Sequence, residues 1–307
     1  MSALLKELRF TVPWGQLAAK AWGPSDGRPV LCLHGWLDNA NTFDRLIPLL
    51  PNDHHFVALD FSGHGLSSHM PEGVRYQHVD YVSDVHRVVT QLGWRQFSIM
   101  GHSMGKYIMG YIFSQYYCIK DTNTHFFQFC GPCIYSVPGD MIQTHLKKII
   151  SYYSRLEGVS AGKIYSPEGA LQRLLEANVS LTQETAKLLL ERGTKTVEGG
   201  VVFSRDIRVT VNNSLPLSTE QCVLMLSKIQ ADVHIIMANE GLTADMMRGV
   251  YTDVGQALLK GFRESLKERC QVTVVDGNHF VHLNEPEKVA GIINDFLHAR
   301  SYLHCNL

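Results

Sequence analysis

Neither sign of charge dominates this chain: 28 Lys and Arg stand against 29 Asp and Glu in 307 residues, for a formal net charge of -1. That balance leaves no electrostatic footprint for nucleic acid or an anionic membrane surface, so a partner has to be recognised locally. No apolar run approaches the roughly 18 residues of a membrane-spanning helix. Met1-Ser2-Ala3-Leu4-Leu5-Lys6-Glu7 has neither the basic nor the apolar region of a signal peptide. The seven cysteines are odd in number and scattered, which argues against a disulfide framework and for a reducing compartment. No second cysteine pair stands at zinc spacing. The expectation is a cytoplasmic chain, long enough for one large core with an inserted cap. Cys305-Asn306-Leu307 is close to a peroxisomal tripeptide but lacks its basic middle residue, which makes the peroxisome the lesser expectation.

What the chain does have is a patterned series of strands and helices. Glu7 to Val12 and Gln16 to Trp22 read as opening strands, and Pro29 to Leu33 and His55 to Leu59 as core strands around a short helix near Phe43 to Leu50. Tyr76 to Leu92 sets Val82, Val85, Val89 and Leu92 on one helical face. Further strands are predicted at Phe97 to Met100, Val233 to Met237 and Gln271 to Val275, and helices at Val250 to Leu266 and Pro286 to Leu297. Alternating strand and helix predicts an α/β fold with a mostly parallel sheet covered on both faces.

Gly101-His102-Ser103-Met104-Gly105 directly follows an apolar strand and precedes a helical stretch. This is the strand, sharp turn and helix that exposes a nucleophilic serine, with glycines where a Cβ would clash. Ser103 is the candidate nucleophile. Upstream, the strand ending at Leu33 runs into His34-Gly35-Trp36, a loop suited to offer backbone N–H groups to an oxyanion. The proposed donors are those of Trp36 and Met104. Asp60-Phe61-Ser62-Gly63-His64-Gly65-Leu66-Ser67 reads as a scaffolding loop beside them.

Downstream, Gly277-Asn278-His279-Phe280-Val281-His282 follows the last strand. An imidazole there can take a proton from Ser103 and return it to the leaving group, so His279 is the candidate base and His282 its less favoured neighbour. The acid that would orient that ring is Glu240 or Asp245, both after the strand Val233 to Met237.

Taken with the chain order serine, acid, histidine, these stretches resemble the α/β-hydrolase superfamily. Within it, Leu33 to Ala40, Asp60 to Ser68, Gly101 to Gly105 and Asn278 to Pro286 are similar to the vertebrate serine hydrolase-like proteins. The resemblance implies an α/β-hydrolase fold with an inserted helical cap. It also implies attack by Ser103 on a carboxylic ester or thioester carbonyl, an acyl-enzyme, and hydrolysis by water activated by His279. Asp245 matches the position of an aspartate in that family and is taken as the acid. A serine at the elbow sets the chain apart from the dehalogenases and epoxide hydrolases, which carry aspartate there. The implied partner is a small-molecule acyl substrate, with no metal or organic cofactor.

The expected organisation is a hydrolase core over 1–135 and 229–307 with a helical cap over 136–228. Ser166-Pro167-Glu168 and Ser218-Thr219-Glu220-Gln221 mark helix starts in the cap, Gly193 a helix end, and Arg205 and Asp206 an ion pair. Residues 106–135 depart from the family pattern. Lys106 stands where a second glycine is usual, and a cation there opposes the helix dipole by about 0.3–1 kcal/mol, which predicts an imperfect elbow. No carboxylate lies within Phe126 to Cys133. Two other functions compete: a hydrolase-fold protein that binds without catalysis, and thiol redox activity at Cys130-Gly131-Pro132-Cys133.

Overall fold

A computed structural model describes residues 5–115, 125–129, 142–156, 162–211, 218–240 and 252–299. Eight strands form one sheet: β1 (Lys6–Val12), β2 (Gly15–Trp22), β3 (Arg28–Leu33), β4 (His54–Leu59), β5 (Ser98–His102), β6 (His125–Phe129), β9 (Asp232–Ala238) and β10 (Cys270–Val275). Their order is β1-β2-β4-β3-β5-β6-β9-β10. The β1–β2 and β2–β4 pairs are antiparallel, and every later pair is parallel. The loops that carry the candidate nucleophile Ser103 and the candidate oxyanion donor Trp36 therefore leave adjacent central strands, β5 and β3.

Burial on both faces follows the pleat. Along β3, Leu31 and Leu33 join one apolar cluster while Val30 and Cys32 join the other. The first cluster is closed by helices α1 (His78–Leu92), α2 (Met104–Gln115), α6 (Thr219–Leu226) and α7 (Thr252–Leu266). Its α1 face is Tyr81, Val82, Val85 and fully buried Val88, with Val89 and Leu92 at its margin. The stripe is thus centred about one residue earlier than the sequence suggests. The second cluster is closed by Ala40 to Leu50, which forms two 3-10 turns, Ala40–Phe43 and Ile47–Leu49, rather than one short helix, and by α8 (Glu287–Ala299). Pro48 lacks the N–H that a continuous helix would need.

Between β6 and β9 the chain contributes α3 (Ile142–Leu156), α4 (Pro167–Ala177), α5 (Gln183–Gly193), the hairpin β7 (Thr194–Val197) and β8 (Gly200–Phe203), and α6. The starts are set as the sequence suggests. Ser166 caps α4 through the Gly169 N–H with proline in the first turn, and Ser218 and Gln221 form a reciprocal capping box on α6. The hairpin is an addition to the expected all-helical segment; it stands apart from the main sheet, and Val201 in its second strand also bridges Tyr165, just ahead of α4. Leu174, Leu181, Ala186 and Leu189 pack with Phe280 and Leu283, which seats α4 and α5 on the loop that carries His279. Asp206 pairs with Arg208 at 2.6 Å rather than with Arg205, whose guanidinium instead covers the Phe203 ring at 4.1 Å. Among the described residues, no helix is long and apolar enough to cross a membrane.

Candidate active site

Ser103 sits between the last residue of β5 and the first of α2 with φ +49°, a left-handed conformation that few non-glycine residues adopt. Its side chain is half-buried at this turn. Close packing makes this possible: a Cβ on Gly105 would run into the Leu33 carbonyl of neighbouring β3. The elbow forms despite Lys106, because the residue of closest approach is Gly105. An unfavourable dipole term of under about 1 kcal/mol is too small to unwind a twelve-residue helix. Met104 opens α2, so its N–H is one of the first-turn donors without an intrahelical acceptor.

The loop after β3 lies against the elbow. A Cβ on Gly35 would fall 2.9 Å from His102 Nδ1 and 3.3 Å from Ser103 Cβ. His34, fully buried, donates from Nδ1 to the Gly35 carbonyl at 2.7 Å and accepts at Nε2 from the Phe61 N–H at 3.2 Å. Those roles require the neutral Nδ1–H tautomer, and burial, the leading cause, lowers the His34 pKa in the same sense. Trp36 donates its indole N–H to the Val209 carbonyl at 2.7 Å, tying this loop to the 3-10 turn Ile207–Thr210.

Asp60, at the end of β4, gathers the surrounding loops. Its carboxylate accepts from Ala40 N–H and Leu66 N–H, each at 2.8 Å, and from Arg192 Nε at 2.7 Å. Arg192 also reaches Glu7 at 2.6 and 3.1 Å. Arg192 lies on α5, so α5 and the strand-end loop share one buried charge network.

His279 follows β10 and is half-buried. Asn278 holds the turn: its Oδ1 accepts from the Phe280 N–H at 2.9 Å and its Nδ2 donates to the Ser180 carbonyl at 3.0 Å. The residue before Ser103 reaches this loop directly, with His102 Nε2 donating to the His279 carbonyl at 3.0 Å and the two rings 4.8 Å apart. His282 belongs to the interior. It is fully buried, bonds Thr42 Oγ1 through Nε2 at 3.0 Å, and has its pKa pushed well down by burial and then by His102 and His279.

Asp245 lies outside the described residues, as do Cys130 and Cys133. Glu240, at the end of β9, is exposed, and its peptide N–H donates to the Gly277 carbonyl at 3.0 Å. Sequence reasoning missed two buried groups beside the elbow, Asp38 and His102. Asp38 accepts from the Asn39 N–H at 2.9 Å, and its Oδ2 lies 3.7 Å from His102 Nδ1. His102 was visible inside the glycine-flanked pentapeptide, but nothing in the chain pairs it with Asp38.

A family model described as alpha/beta hydrolase fold matches residues 28–123. A serine hydrolase-like protein of Danio rerio is 42% identical, covering 98% of this chain and 91% of that protein. Serine hydrolase-like protein 2 of Homo sapiens is 40% identical, covering 99% and 98%. Among solved structures, a hypothetical protein from Pseudomonas aeruginosa PAO1 superposes with a TM-score of 0.82 at 30% identity, over 96% of this chain and all of that one.

Proposed function

This chain belongs to the serine hydrolase-like family of α/β-hydrolases, and from that premise we propose that it cleaves a small or medium carboxylic ester or thioester through an acyl-enzyme on Ser103. The observation that carries the reading is the backbone of Ser103, held at φ +49° between strand and helix. Strain of this kind, of order 1–3 kcal/mol, persists where the surrounding packing enforces it and tends to mark functional positions. In the proposed reaction Ser103 Oγ attacks the carbonyl carbon as His279 takes its proton. The oxyanion is met by the Trp36 and Met104 N–H groups. His279 then protonates the leaving group, and a water activated by the same ring hydrolyses the acyl-enzyme. Asp245 is the proposed acid that orients His279.

We assign 1–135 and 229–307 to the hydrolase core and 136–228 to a cap. The contact of α4 and α5 with Phe280 supports this, since it sets the inserted helices beside the base. A covered, largely apolar pocket would follow, with acyl selectivity set by the inserted segment. Labelling with a fluorophosphonate probe tests the reading: the wild type is expected to be modified and Ser103→Ala to remain unlabelled. A folded wild type that does not label would favour a binding protein without catalysis.

A further inference from the structure

The contacts of His102 carry more than a packing role. A peptide carbonyl only accepts, so Nε2 of His102 must hold a proton toward His279. The opposite ring nitrogen, Nδ1, faces Asp38 Oδ2 at 3.7 Å, and the side chains of both residues are at most 4% exposed. With an anionic carboxylate and a lone pair on Nδ1, the two would repel across a site where water screens little. One proton on either atom turns repulsion into attraction.

We propose that Asp38 and His102 are a positioning pair that carries one proton, on His102 Nδ1 or on Asp38 Oδ2, so that their 3.7 Å contact is attractive and joins the oxyanion loop, the nucleophile elbow and the His279 loop into one frame. The proposal rests on the serine-hydrolase reading above. Asp38 stands two residues beyond Trp36, His102 immediately before Ser103, and the acceptor is the peptide of His279 itself. One pair of side chains therefore touches all three segments that the mechanism requires to be in register. Asp38 is itself held through Oδ1 by the Asn39 N–H at 2.9 Å, and the Thr42 hydroxyl acts on the same carboxyl. Thr42 in turn bonds His282 at 3.0 Å, and the His282 ring lies 4.2 Å from that of His102.

The charged and titratable groups facing the pair are His34 and Asp60 on the Asp38 side and His279 and His282 on the His102 side. Burial lifts the Asp38 carboxyl to about 6, which favours a proton in the pair. Neither residue touches substrate, and the effect on rate comes through the placement of the Trp36 N–H and the His279 ring.

Histidine-selective 15N labelling, with His102 assigned through His102→Gln, reads the ring nitrogens directly. In the wild type at neutral pH, Nδ1 of His102 is expected to be displaced from the frequency of a bare lone pair, and in Asp38→Asn to move back toward it. The same Nδ1 frequency in both proteins would overturn the proposal. Should Asp38→Asn not fold, the wild-type spectrum decides alone, since a bare Nδ1 lone pair refutes the proton in the pair and a displaced Nδ1 supports it. With a 4-nitrophenyl ester, Asp38→Asn is expected to lower kcat about tenfold with little change in KM, as misplacement of catalytic groups does. His102→Gln keeps an N–H for the His279 carbonyl and should retain more activity than His102→Ala. A loss confined to KM, or equal loss in both His102 variants, would contradict positioning. If the wild type fails to label with fluorophosphonate, the serine reading falls while the nitrogen spectra still judge the pair.

Discussion

Removing Arg192 gives the sharpest perturbation of the frame around the site. Its guanidinium is 5% exposed and pairs with an Asp60 carboxylate that is fully buried. Arg192→Met keeps most of the side-chain volume and leaves Asp60 charged, with the N–H groups of Ala40 and Leu66 still bonded to it. Breaking a buried pair by deleting one partner costs about 3–5 kcal/mol. The two remaining donors place this case near the lower figure, about 3 kcal/mol. Glu7, at 46% exposure, returns to water and adds little. For a chain of this length about 3 kcal/mol corresponds to a fall of roughly 5 °C in Tm, measurable by circular dichroism at pH 7. Adding Asp60→Asn to Arg192→Met should recover part of the loss, because the stranded charge is then gone. A single variant within about 1 kcal/mol of wild type, or a double variant no better than Arg192→Met, would refute the argument that Arg192 neutralises Asp60.

Other consequences are equally specific. Gly105→Ala drives a methyl into the Leu33 carbonyl, an atom fixed in the sheet, and should cost about 1–3 kcal/mol by urea denaturation while slowing probe labelling of Ser103. Asp84, buried beneath Ser62, has its carboxyl lifted by burial to about 7 from 3.8. The folded chain therefore holds a proton there that the unfolded chain has released, and stability falls as pH rises through that window, by at most about 1.4 kcal/mol per unit. Asp84→Asn, neutral throughout, should gain on wild type more at pH 8 than at pH 4 in urea midpoints, and an equal difference at both would exclude the titration. Trp36→Phe removes the indole bond to Val209 and should cost about 1 kcal/mol of stability.

Much of this architecture could be read from local pattern. Parallel strands such as Leu31 to Leu33 are apolar on both faces, and the helices that cover them repeat at helical spacing, so alternation alone implied the sheet. The elbow was legible for a similar reason: Gly105 is needed at its own position, and its spacing from Ser103 is part of the motif. What escaped depends on contacts between distant residues. Arg192 lies 132 positions from Asp60 and His102 lies 177 from His279, and no periodicity encodes such a pairing. Arg205 illustrates the limit in miniature. Adjacency to Asp206 suggested an ion pair, yet neighbouring side chains diverge, and Arg208, two residues on, has the reach.

Direct capture of the covalent intermediate bears most closely on the proposed chemistry. After rapid mixing with 4-nitrophenyl acetate and acid quench, peptide mass spectrometry should find one acetyl group on Ser103, absent from Ser103→Ala and accumulating in His279→Ala only at a far slower rate. Turnover of the ester with no acyl group on Ser103, or acetylation that persists at another residue in Ser103→Ala, would contradict a serine nucleophile at this elbow.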